Sequence, residues 1–214
     1  MAAPVDPRIQ LLLRDAAWWR LIGRLFECPD PEWRTDISTL ARELDDAELC
    51  VAVAAALAEA TEGQYHSVFG PGGPAPPREA SYHDTIELGS MMSSIATYYE
   101  AFAYRPATRE TPDHVAVEAG FIAFLRLKEA FALADGDRDR ASIAASAAER
   151  FRVDHLTMVA ERIAGLLANS HLEYLRKTAR LLADRVGPRP GPKRLTVFNE
   201  PFDGNESEFS CAEP

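Results

Sequence analysis

Thr111-Pro112-Asp113-His114-Val115-Ala116-Val117-Glu118-Ala119-Gly120-Phe121-Ile122-Ala123-Phe124-Leu125-Arg126-Leu127 is the stretch that decides the fold. Val115, Val117, Phe121, Ile122, Phe124, Leu125 and Leu127, with Phe131 beyond, leave almost no polar side before Lys128. A helix that is apolar nearly all round is a buried one. Val115 to Leu133 is therefore expected to be the central helix of a helical core. Its start is marked too. Thr111 is a capping residue, Pro112 suits the first helical position, and Asp113 falls near the positive helix end. On spacing alone Asp113-His114 is an ordinary cap. The functional alternative is that both point into a groove. Asp113 would then meet an incoming Arg or Lys, and His114 would be a polar contact whose charge changes near neutral pH.

The segments on either side are helical as well. Asp6-Pro7 opens a helix whose apolar positions run Ile9, Leu12, Leu13, Ala16, Trp19, Gly23 and Phe26, ending near Cys28 before Pro29. Shorter helices are expected from Trp33 to about Leu44 and from about Asp46 to Thr61, the latter rich in alanine. Ser81, with Asp84 three residues on, predicts a capped helix reaching about Tyr104, with Ile86, Met91, Ile95, Tyr98, Tyr99 and Phe102 on its apolar stripe. Helices from about Arg140 to Phe151 and from Leu156 to Ala168 follow. Ser170-His171-Leu172-Glu173 reads as a capping box for the last one, to about Val186. No repeat and no alternating strand pattern is present. The expectation is a single compact all-α domain of about eight helices over 1–187. A Pro/Gly linker and an acidic, extended, flexible tail follow over 188–214.

One stretch resists helix. From Tyr65 through Phe69 to Tyr82, the prolines and glycines between Phe69 and Arg78 exclude helix and central strand alike. A domain linker has similar composition. The bracketing aromatics Tyr65, Phe69 and Tyr82 favour a loop packed onto the body.

The net charge is −10 with pI near 5.0, which argues against non-specific binding to nucleic acid and is compatible with a cationic partner. Cys28, Cys50 and Cys211 are far apart and show neither CxxC nor Cys/His spacing, as in a reduced cytosolic chain. Met1 to Pro7 lacks the pattern of a signal peptide, and no run is long enough to span a membrane. A cytoplasmic protein without stable membrane insertion is expected.

Candidate chemistry is sparse. His66, His83-Asp84 and Asp113 follow the order of metal-dependent HD phosphohydrolases, which would use metal-activated water. The spacing is short, and solvated helix starts explain these residues equally. No Glu-x-x-His pair, P-loop, dinucleotide fingerprint or nucleophile elbow occurs. Cys28 lies at the wrong helix pole for an activated thiol. A helical small-ligand or regulatory domain is a third possibility, without a basic helix for DNA.

Several motifs together resemble a known family: Tyr65-x-x-Val68-Phe69-Gly70-Pro71, then Pro76-Pro77-x-Glu79-x-x-Tyr82, then Glu110-x-Pro112-Asp113-His114-x3-Glu118-x2-Phe121-x3-Leu125-x3-Glu129. Phe151-x3-His155-Leu156 continues the likeness. The pattern is similar to the TorD/DmsD/NarJ group of redox-enzyme maturation chaperones. It departs from the group at Arg78, where an aromatic is common, at Ala80-Ser81, and at Val159. The resemblance implies an all-helical fold and no catalytic turnover; no cofactor is expected, and the spacing of histidines and carboxylates nominates no metal site. The implied partner is the catalytic subunit of a molybdenum oxidoreductase, bound through an N-terminal segment that commonly carries a twin-arginine motif. Such binding delays export or assembly until the cofactor is inserted. The implied binding residues are Tyr65, Phe69, Pro76, Pro77, Glu79, Tyr82, Pro112, Asp113, His114 and Glu118, on a monomer or homodimer.

Overall fold

The computed structural model describes residues 6–85 and 87–188. Ile86, Cys211 and residues 189–214 of the expected tail lie outside the described residues. The helices are α1 (Pro7–Leu25), α2 (Trp33–Leu44), α3 (Ala47–Glu59), α4 (Glu62–Phe69), α5 (Leu88–Ala101), α6 (Val115–Ala134), α7 (Arg138–Phe151), α8 (Thr157–Leu167) and α9 (Glu173–Val186). A π-helical turn, Arg152–Leu156, joins α7 and α8 into one rod. Counting that rod once gives eight helices among the described residues. No strand forms there; the backbone pairing outside helices is an isolated antiparallel bridge, Arg78 with His114.

The expected central helix is α6. Every residue from Val115 to Ala123 is buried, and α6 packs most extensively on α1 and then on α7. The α1–α6 approach is close because Gly23 faces the α6 backbone. A Cβ there would lie 3.0 Å from the Ala116 carbonyl oxygen. Phe121 is fully buried among Tyr98, Tyr99, Phe102, Tyr104 and Phe151, with ring centroids 4.8–6.4 Å away. Burying one such ring contributes ~2–3 kcal/mol.

Four expectations need correction. Glu62–Phe69 is a helix, so Tyr65 and Phe69 do not belong to the Pro/Gly loop; Thr61 caps it by accepting from the Gln64 N–H at 3.2 Å. Ser81 does not open α5. Residues Glu79–Tyr82 form a 3-10 turn, and α5 begins at Leu88. The N-cap of α6 is His114, not Thr111, so Pro112 precedes the helix. The box at Ser170–Glu173 does not form either. Leu172 is the N-cap and has no side-chain bond, and Glu59 of α3 supplies the acceptor, taking the Tyr174 N–H at 2.6 Å. At α9 a residue distant in sequence takes a free N–H of the first turn, whereas at α6 the local His114 ring takes one and the distant Pro77 carbonyl another.

Candidate functional site

The loop after α4 folds back tightly. Gly70 and Ala75 donate to the carbonyls of His66 (2.9 Å) and Val68 (3.2 Å). Only glycine fits at 73, where a Cβ would stand 2.3 Å from the Val68 oxygen. The chain then runs alongside the start of α6. The Val115 N–H donates to the Pro77 carbonyl at 2.9 Å, and the Glu79 N–H donates to the Asp113 carbonyl at 2.8 Å. The loop thereby satisfies an N–H that α6 cannot satisfy itself. Asp113 completes this clasp. Its carboxylate accepts from Arg78 Nε at 3.0 and 3.2 Å and from the Ala80 N–H at 3.2 Å. Burial acts to raise the Asp113 carboxyl, but hydrogen bonds from Arg78, Thr111 and Ala80, with the Arg78 charge, hold it below the usual carboxylate range.

His114 Nδ1 accepts from the Ala116 N–H at 3.1 Å, so the neutral ring carries its proton on Nε2. That nitrogen lies 3.2 Å from the Tyr65 hydroxyl, which donates to Glu110 Oε1 at 3.1 Å. Burial is the main force pushing the His114 pKa down from 6.5 to about 4. A proton on Nδ1 would also displace the Ala116 N–H. Burial, then Glu110, raises Tyr65 well above its ordinary value.

A second network lies deeper. Glu79 Oε1 meets His83 Nε2 and Glu79 Oε2 meets His155 Nδ1, both at 2.9 Å. His155 Nε2 continues to Ser94 Oγ at 3.0 Å. The π turn that carries His155 lets Thr157 Oγ1 donate to the Arg152 carbonyl at 3.0 Å. Glu118 of α6 is fully buried, and no N–H or O–H of the surroundings serves either of its oxygens. Burial, then the charge of Glu79 and the hydrogen bond to it, raises Glu118 well above the ordinary carboxyl value. Two carboxylates in contact cannot both stay ionised. Glu118 is thus the protonated partner and donates to Glu79.

Most of the expected binding residues are therefore inside. Tyr65, Phe69, Pro77, Glu79, Asp113, His114 and Glu118 are buried, Pro76 and Tyr82 are half-buried, and Pro112 is exposed. Tyr82 is tied down by donating to the Pro76 carbonyl at 2.6 Å. The buried members join the loop to α6 and offer solvent no charge. Beside Tyr65 and His114 lies a groove of about 790 Å³. Its lining carries four carboxylates (Glu27, Asp30, Glu62, Glu110) and two guanidiniums (Arg24, Arg109), with Pro29, Pro31 and Pro106. Arg24 is largely consumed by Glu27, Asp30 and Asp36. Glu110 joins this groove to the Tyr65–His114 chain.

Sequence reasoning missed Glu110 and Glu27 as lining, and His155 as the partner of Glu79. The Glu79–His155 pair spans 76 positions and leaves no periodic trace. The HD-like set does not converge. Among the described residues, the one trio of His, Cys, Asp or Glu with ligand atoms within 4.8 Å of one another is Cys28, Glu62 and His66. No described helix is long and apolar enough to cross a membrane.

Residues 27–157 match a family model, and the match places the chain among the molybdoenzyme maturation chaperones of the TorD/DmsD/NarJ group. That model is described as the nitrate reductase delta subunit. The match covers well over half of the chain, and the chain belongs to that family. Family members are maturation chaperones that act with nitrate reductase-type catalytic subunits. No curated protein matches the chain.

Proposed function

We propose that this protein binds the N-terminal, twin-arginine-type segment of a molybdenum oxidoreductase catalytic subunit, in the cytoplasm, and holds it back until the cofactor is inserted. The observation that carries this is the groove, where four carboxylates stand against two guanidiniums. An extended segment with two arginines has complementary charge there, and its apolar part suits the proline-lined walls. The clasp residues act from below, fixing the wall and the position of Glu110. No bond is made or broken in this role.

The test is titration of the full chain with the partner's N-terminal peptide, in chelator. One peptide per chain is expected. Glu62→Gln with Glu110→Gln removes two charges while keeping the acceptor for Tyr65. Exposed ion pairs contribute ~0.2–1 kcal/mol each, so Kd should rise roughly two- to thirtyfold at low salt and less at high salt. An unchanged Kd at low salt would overturn the groove as the binding site.

A further inference from the structure

Cys28 follows the end of α1, where Pro29 restricts the backbone, and half-buried it faces α4. Glu62 and His66 stand one turn apart on α4, whose first turn is fixed by the Thr61 cap. The thiol, one carboxylate oxygen and one imidazole nitrogen lie within 4.8 Å of one another. Glu62 Oε1 and His66 Nε2 are 3.7 Å apart. Ligands about 2 Å from one tetrahedral ion stand roughly 3.3 Å from each other, so closing the trio needs only small side-chain rotations. Cys28 and Glu62 both line the groove, and Asp30 and Glu110 add negative charge along it.

We propose that Cys28, Glu62 and His66 form a three-ligand site for a borderline transition-metal dication, Zn(II) foremost, with the fourth position open to the groove. Thiolate with imidazole selects such ions over the hard cations Mg(II) and Ca(II). Three protein ligands and one open position characterise sites that present the ion to another molecule, whereas structural sites are closed with four. On binding, Cys28 gives its proton to solvent and the thiolate takes the ion; no redox change is involved. The site shares Glu62 with the groove reading, but all three of its ligands come from this chain and it needs nothing from a peptide.

The probe is Co(II), added to the metal-stripped full-length protein. The expected result is a sulfur-to-cobalt charge-transfer absorption that saturates at one ion per chain. Cys28→Ser abolishes that band. His66→Ala, at an exposed position on α4, weakens Co(II) binding by at least about tenfold, the least that even outer-shell changes cost a metal site. Cys50→Ser and Cys211→Ser keep the band. Circular dichroism and Tm identify any variant that fails to fold, and His66→Ala then carries the test. A wild-type protein without the band, a band that survives Cys28→Ser, or unaltered affinity in His66→Ala would overturn the site. Loss of peptide binding with the band intact would count against the groove proposal alone.

Discussion

His114 caps α6 and Glu118 sits in its first turn, yet burial pushes them in opposite directions of proton affinity. Glu118 keeps a proton that its unfolded counterpart loses above pH 4.5. Its contribution to stability is therefore complete below pH 4.5 and is lost as pH rises toward the folded value. Glu118→Gln replaces the protonated acid by a permanent neutral donor. Urea unfolding at a series of pH values should show the variant gaining on the wild type as pH rises above 4.5. A parallel pair of curves would refute the shared proton. His114 does the reverse. It refuses a proton that the unfolded chain takes below pH 6.5, so its contribution is present above 6.5 and is lost as pH falls toward about 4. The span corresponds to ~3 kcal/mol. His114→Asn keeps an acceptor for the Ala116 N–H and should remove that part of the acid slope. Asp113→Ala leaves the Ala80 N–H and Arg78 without their acceptor, at a cost of about 2 kcal/mol by denaturant unfolding. A cost near zero would show that the clasp does not depend on that carboxylate.

Elements were legible where a cap and a hydrophobic pattern agreed. Asp6 caps α1 through its own carboxylate as its sequence announced, and α6 declared itself by having almost no polar side; Asp46 and Asp137 cap α3 and α7 without having been read as caps. Elements whose ends are set by distant residues were not legible. The eight residues of α4 hold Gly63 and two aromatics that read equally well as loop anchors. The first turn expected for α5 is drawn away because Glu79 and Ala80 bond to Asp113 instead. Ser170 and Glu173 look like a box, but Glu59 reaches the first turn of α9 from another helix. Glu59→Ala should therefore cost about 1 kcal/mol, the usual value of an N-cap, with a lowered Tm, while Ser170→Ala costs less. Equal losses would show that the local serine matters as much as the distant glutamate. In the site, the loop and the Pro-Asp-His turn were visible as a pair, but their burial was not. Nothing local tells a carboxylate that receives arginine from another chain from one already paired with Arg78.

At the scale of the molecule, the α1–α6 contact governs how closely the core closes. Gly→Ala inside an exposed helix usually stabilises by nearly 1 kcal/mol. At Gly23 the added methyl meets the Ala116 carbonyl, part of a rigid buried helix, so the sign should invert to a loss of ~1–3 kcal/mol. Thermal unfolding of Gly23→Ala decides this, and a raised Tm would mean that the two helices part at little cost. The Arg78–His114 bridge has a consequence of another kind. It closes a ring in the chain: residues 79–113 begin and end at the same place, with α5 packed into the core between them. Arg109, exposed in that ring, is also part of the groove wall. A single tryptic cut there would open the ring while both ends stayed anchored, one by the clasp and one by α6. The nicked protein would keep its size and helicity until denatured, yet lose its wall, so foldedness and recognition would come apart at one peptide bond.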